Sequence, residues 1–239
     1  MLKLFLAAVE ELTIIPVRLE KKIQNDETSC ILRYFPFIGL LFGLCLVAIE
    51  YIVSFYLPSS IVTILLIAFM IAISGGRYLE DLACITNLIF SKRTKETGSI
   101  SLFANPVGST IVFLFILLKY CTIAEFSAGK NYLIFLFFPM VGRASIVILC
   151  WAFPIFETKE GSNIKISNRD FIIVSLSVLL LGLLFTGVRT LFIFGVILLI
   201  VILTGKYILR KLPETRKYLP GFINEIAELV ALLIGTVVI

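Results

Sequence analysis

The sequence predicts an all-α integral membrane protein: a bundle of about seven transmembrane helices, an N-terminal helix and a short half-inserted helix. Three observations lead there. Of the 239 residues 59% are hydrophobic and 15% charged, with a mean hydropathy of +1.06. A water-soluble chain carries about 25% charged residues, because its surface has to be wet. Apolar runs close to the roughly 20 residues that cross the hydrocarbon recur along the chain, and Lys and Arg gather in alternate connections. Secreted disulfide scaffolds and disordered tails are excluded by the same composition. The chain has no histidine, which removes Ser-His triads, His-ligated zinc or haem, and imidazole acid–base chemistry. Cys30, Cys45, Cys84, Cys121 and Cys150 are scattered singly, so neither a zinc site nor a disulfide framework is indicated.

In chain order, Met1 to Val17 has the Lys3 and LFLAAV start of a signal peptide. Glu10 and Glu11 interrupt the apolar run and no A-x-A site follows, so the segment reads as a retained helix ending near Pro16. The spans are predicted at 35–57, 59–74, 106–124, 132–153, 171–188, 190–205 and 222–239. The two shortest, 59–74 and 190–205, are expected to borrow flanking residues. Tyr78–Phe90 is too short and too mixed to span and fits an amphipathic or half-inserted helix buried against protein. No internal repeat, low-complexity tract or second soluble domain interrupts this order, which makes 1–239 a single polytopic domain.

Orientation follows from charge. The segments 17–34, 75–105, 154–170 and 206–221 hold sixteen of the 21 Lys and Arg residues, against Lys130 and Arg189 in the opposite connections. That bias predicts a multi-pass protein of the cytoplasmic membrane with the four long loops in the cytoplasm and the C-terminus outside. The net charge of +5 is then mostly topological, and nucleic acid is not expected as a partner.

Charges at membrane depth cost several kcal/mol unless they pair or face water. Here they are Glu50, Lys119, Arg143, Glu225 and Glu228. Two bases and three acids suit mutual neutralisation, and the long side chains Glu50 and Lys119 can also snorkel. Glu225 and Glu228 share a face of the last helix. Arg143 follows Gly142, a small residue that admits another helix or a ligand, and a guanidinium in a dry site clamps phosphate or carboxylate. Two readings stay open: a salt-bridged core, or a polar cavity holding a phosphorylated substrate and a divalent cation.

Several stretches together resemble the cobalamin synthase family, the adenosylcobinamide-GDP ribazoletransferases. They are FLAAVEELTIIPV at the N-terminus, RYFPFIGLLFGL at 33–44, SGGRYLEDLACITNLIF at 74–90, VGR at 141–143 and NEIAELVALL at 224–233. The resemblance covers nearly the whole chain in the family's order. The family's acidic motif reads approximately G-G-x-H-L-D-G-L-A-D-x-x-D-G, with acids at i, i+4 and i+7 lining one helical face toward Mg²⁺ and a diphosphate. Gly75, Gly76, Leu79, Leu82 and Ala83 fit that frame. Tyr78 replaces the histidine, the three acids fall on Glu80, Cys84 and Asn87, and Asp81 and Leu88 replace the later glycines. Asp81 points about 100° from Glu80 on an ideal helix and substitutes poorly. In SISLFANPVG, 99–108, the family's acid and arginine fall on Ala104 and Pro106, while Gly108 is retained. KYLPG, 217–221, stands in place of a family loop containing glycine and aspartate.

The resemblance implies transfer of α-ribazole or its 5′-phosphate onto adenosylcobinamide-GDP, with release of GMP. It assigns Glu80, Arg143, Glu225 and Glu228 as catalytic; Lys119, Arg143, Gly75 and Gly76 as substrate-binding; and Glu80, Glu225 and Glu228 as ligands of Mg²⁺. With no histidine, a carboxylate has to be the base. The lost motif acids keep a second reading open, a non-catalytic membrane partner that binds a corrinoid or another membrane enzyme. A third, a small transporter, rests on the intramembrane charges alone and lacks broken helix pairs or an inverted repeat. The sequence leaves the oligomeric state open, a homo-oligomer included.

Overall fold

The computed structural model describes residues 2–17, 28–90, 106–129, 131–153, 155–157, 163–164 and 166–237. In order, the helices are α1 (Leu2–Leu12), α2 (Thr28–Ile31), α3 (Phe35–Val53), α4 (Ser59–Ser74), α5 (Arg77–Phe90), α6 (Pro106–Ala128), α7 (Leu133–Ala152), α8 (Asn168–Thr186), α9 (Arg189–Lys211) and α10 (Leu219–Val237). Short 3₁₀ turns at Leu32–Tyr34 and Pro213–Tyr218 lead into α3 and α10. A two-residue antiparallel pairing, Phe156–Glu157 with Asn163–Ile164, lies between α7 and α8. Among the described residues six helices are long and apolar enough to cross a membrane, or seven if α4 and α5 are taken as one bent span. The chain is thus an all-α membrane protein with six of the predicted spans, offset by a few residues, while the predicted span 59–74 is the first half of the bent pair. Ala104 and half of the sixteen loop cations, Lys92, Arg93, Lys95 and Lys159 among them, lie outside the described residues.

Helix α7 is the axis. Of its apolar window 89% is buried, against 22% for α8 and 28% for α6 and α9, and it packs on α3, α10, α8 and α9. The outer helices turn Leu176, Leu180, Leu184, Phe192, Leu199 and Leu203 outward, an apolar surface suited to a membrane. The α3–α7 crossing is close for a reason legible in FIGLLFGL. A Cβ on Gly39 would lie 2.4 Å from the Pro139 carbonyl oxygen, and one on Gly43 would lie 2.6 Å from that of Phe135. Small residues four apart let two backbones touch. Pro139 sits within α7 and cannot donate to the carbonyl four residues back, that of Phe135. Gly43 packs on that freed oxygen.

Of the two short spans expected to borrow flanking residues, α9 does so and α4 does not. The 16 residues of α4 rise about 24 Å, short of the roughly 30 Å hydrocarbon core. It stops at Gly75 and Gly76, both left-handed at φ +64° and +73°, where a side chain costs about 1–2 kcal/mol. The chain then bends by 85° into α5. Helix α9, predicted to end at 205, runs on to Lys211, because Lys206, Arg210 and Lys211 suit the negative end of a helix dipole.

Helix α5 is the buried, non-spanning segment foreseen, packed against α10 and α6. Its polar residues secure other helices. Asn87 Oδ1 accepts the backbone N–H of Gly108, the third residue of α6, at 2.6 Å. The Asp81 carboxylate accepts the N–H of Gly221, the third residue of α10. In both places the acceptor occupies the space of a glycine Cβ. Arg77 ties α5 to the chain start, donating to the carbonyls of Glu11 (2.8 Å), Thr13 (3.3 Å) and Ser74 (3.4 Å). Arg33 and Asp170 pair at 2.5 Å, joining the entrances of α3 and α8 at one end of the bundle.

Candidate functional site

The buried charges converge. Lys119 on α6 donates to Glu225 Oε2 at 2.8 Å and Glu228 Oε2 at 2.7 Å, both on α10. Arg143 on α7 pairs with Glu228 Oε1, which also accepts Asn224 Nδ2 at 3.1 Å. All four charged side chains are buried: Lys119 is 6% exposed, Arg143 1%, Glu225 5% and Glu228 0%. Two positive and two negative groups sum to zero, the condition for holding charge in a low-dielectric interior. Gly142 makes the approach possible, since a Cβ there would fall 2.6 Å from Glu228 Cγ. The small residue admits a helix, α10, at this point. The Arg143 guanidinium is flanked by aromatic faces, Phe42 at 4.9 Å and Tyr78 at 5.2 Å, which adds cation–π attraction where water is excluded.

Two readings of the intramembrane charges are corrected here. Lys119 does not snorkel, because its two glutamates hold it inside. Glu50 takes no part in the neutralisation: it is buried and accepts the Ser127 hydroxyl at 2.5 Å. Its Oε2 has no hydrogen-bond partner.

The quartet borders a cavity of about 20 Å³, room for about one water molecule. A larger vestibule of about 280 Å³ lies next to it, lined by Arg77, Tyr78, Glu80, Asp81, Lys217 and Gly221, with Glu11, Leu12, Phe35, Ile146, Tyr218 and Pro220 completing the wall. Tyr78 borders both spaces, and its buried hydroxyl has no hydrogen-bond partner.

The structure thus brings Lys119, Arg143, Glu225 and Glu228 together and places Glu80 outside that group, exposed in the vestibule. Asp81 lines the vestibule beside Glu80, contrary to the expectation from ideal helix angles, because α10 packs across the end of α5. Gly75 and Gly76, expected to bind substrate, form the turn between α4 and α5 and are not among the residues lining the vestibule. Lys217, Tyr78 and Asn224 were missed. Lys217 read as a topology charge, and Tyr78 as a lost histidine.

Among the described residues, the side chains do not fit a Mg²⁺ ion held as the resemblance implies. Glu225 and Glu228 are committed to Lys119 and Arg143, Asn87 to Gly108, and Asp81 to Gly221. Cys84 is buried and soft. Among the described residues no three His, Cys, Asp or Glu side chains cluster to hold a metal ion.

A family model described as cobalamin-5-phosphate synthase matches residues 4–236. An adenosylcobinamide-GDP ribazoletransferase of Clostridium botulinum strain Langeland is 27% identical over 241 residues, 96% of each protein. Its counterpart in strain Loch Maree is 34% identical over 187 residues, 75% of each. The Geotalea daltonii protein of the same name is 30% identical over 152 residues, 62% of this chain and 61% of that protein. No solved structure matches the chain.

Proposed function

The chain belongs to the cobalamin-5-phosphate synthase family, and from that premise we propose that it is an adenosylcobinamide-GDP ribazoletransferase. A hydroxyl oxygen of α-ribazole or its 5′-phosphate attacks the phosphorus on the corrinoid side of the diphosphate. A new phosphoester forms, the anhydride P–O bond breaks, GMP leaves, and the hydroxyl proton passes to a base. The observation that carries this reading is the coincidence of the whole-length family match with the neutral buried quartet. Three of its members, Arg143, Glu225 and Glu228, lie in the matching stretches VGR and NEIAELVALL.

Such transfer asks the protein mainly for positioning and charge stabilisation. Lys119, Arg143, Glu225 and Glu228 hold α6, α7 and α10 at fixed spacing and form the polar floor. The vestibule above them receives the diphosphate, and Glu80, on α5 and one of two exposed carboxylates on its wall with Glu11, is suited to take the proton. The vestibule wall carries Arg77 and Lys217 from two of the basic connections, so by the positive-inside rule both substrates enter from the cytoplasm.

The test is GMP release by purified protein in nanodiscs. GMP should appear only when adenosylcobinamide-GDP and α-ribazole, or its 5′-phosphate, are both present, and E80Q should slow it by about 10²-fold or more, the size of a general-base contribution. No release under any condition supports the non-catalytic partner reading, which the replacement of motif acids by Cys84 and Asn87 favours.

A further inference from the structure

We propose that the vestibule binds the substrate diphosphate directly, with Arg77, Lys217 and the Tyr78 hydroxyl as its anion contacts and no divalent cation as intermediary. The proposal rests on the transferase reading and deepens it, naming how the site holds its phosphates.

Three observations carry it. Among the described residues, neither Arg77 nor Lys217 forms a close ion pair, and the one carboxylate that attracts both, Asp81, is itself held by the Gly221 N–H: Arg77 is held by the carbonyls of Glu11, Thr13 and Ser74, and Lys217 bonds the Tyr218 side chain and lies 4.6 Å from its ring centre. Carbonyl dipoles and an aromatic face orient a cation and leave its charge available. Tyr78 is 9% exposed and its hydroxyl is unpartnered, although buried polar groups almost always find a partner. A phosphate oxygen in the vestibule supplies one. Finally, the oxygens that would recruit a divalent cation are engaged elsewhere: Asp81 by the start of α10 and Asn87 by the start of α6. Glu80 and Glu11, both exposed, are the remaining carboxylates on this wall. At about 280 Å³ the space is at the lower end for a ligand pocket, roughly 300–1,000 Å³. It suits the diphosphate and leaves the corrinoid ring outside.

The arrangement also accounts for the direction in which the chain departs from the family motif. The acids at the positions of Cys84 and Asn87 are gone, while a lysine stands at 217 and a hydroxyl donor at 78. Fixed cations then perform the neutralisation that a metal would perform at an acid-rich face.

The experiment measures GDP binding to the full-length protein in nanodiscs by calorimetry, with excess EDTA and then with excess Mg²⁺, and guanosine as the phosphate-free control. The expected result is GDP binding in EDTA, a change of less than about threefold on adding Mg²⁺, and no binding of guanosine. Loss of one charged or hydrogen-bonded phosphate contact should weaken GDP about tenfold in K217Q and about fivefold in Y78F. Melting temperatures should stay near that of the parent, since Lys217 lies outside the buried quartet and Y78F keeps the ring that flanks Arg143. Absence of GDP binding in EDTA, equal binding of guanosine, or unaltered affinity in either variant overturns the proposal. The transferase reading is scored separately: GMP release that requires Mg²⁺ sinks this inference and keeps the transferase. GDP binding in EDTA without GMP release from the full substrates does the reverse.

Discussion

Replacing Arg143 with methionine tests whether the quartet is a closed electrostatic unit. In the parent, Arg143 pairs with Glu228, and Lys119 reaches Glu225 at 2.8 Å and Glu228 at 2.7 Å. R143M leaves one lysine facing two glutamates at sites no more than 6% exposed. Stranding one member of a buried pair costs about 3–5 kcal/mol. At about 2–4 °C per kcal/mol for a chain of this length, melting should fall by about 10 °C. Adding E228Q leaves the Lys119–Glu225 pair intact and neutral, and glutamine keeps the volume that Gly142 was selected to admit. The double variant should therefore lose far less than the two single losses together, with a coupling of about 2 kcal/mol or more. Glu50 provides the contrast, because it sits on Ser127 and away from the quartet; R143M with E50Q should show additive losses. Circular-dichroism melting in detergent reads all six proteins: the parent, R143M, E228Q, E50Q and the two double variants. Additive losses for R143M with E228Q, or equal recovery by E50Q, would refute the pairing.

Other perturbations separate the remaining roles. G43L forces a side chain onto the Phe135 carbonyl at the α3–α7 crossing, and overpacking there should cost about 1–3 kcal/mol in the same melting assay. N87L removes the acceptor at the start of α6 and should cost about 1–2 kcal/mol, the worth of a helix cap. C84D restores a family acid at a site 1% exposed; it should lower the melting temperature and leave Mg²⁺ binding, measured by calorimetry, at background. Cysteines placed at Glu214 and Ser59 in a cysteine-free background should label from opposite sides of the membrane, with Glu214 on the cytoplasmic side.

The spans were legible because burial in lipid imposes one crude condition, some twenty apolar residues, that single residues barely alter. The bend at Gly75 and Gly76 was legible in part: Tyr78–Phe90 was too polar to span, while only the positive φ angles show that α4 ends where α5 begins. The pairing of charges was not legible. Five ionisable residues admit several neutral groupings, and the selection of Glu228 over Glu50 by Arg143 comes from α10 packing against Gly142. Asn87 was read as an eroded metal ligand and Asp81 as a poor substitute for one, yet each acts on the N-terminus of a helix remote in sequence. The glycines at 108 and 221 carried that signal, since each leaves room for an acceptor where a Cβ would stand. Tyr78 was visible only as a departure from a motif, and its isolation between two cavities needs the tertiary structure to be seen.

The central claim is that this chain forms the corrinoid phosphoester despite its altered acidic face. Incubating the nanodisc-embedded protein with adenosylcobinamide-GDP and α-ribazole 5′-phosphate, then identifying the corrinoid product by mass, tests that claim most directly. The account predicts a product in which the ribazole phosphate has replaced GMP on the corrinoid, formed by the parent and strongly reduced in E80Q. A parent protein that folds, binds GDP and leaves adenosylcobinamide-GDP unchanged would contradict it.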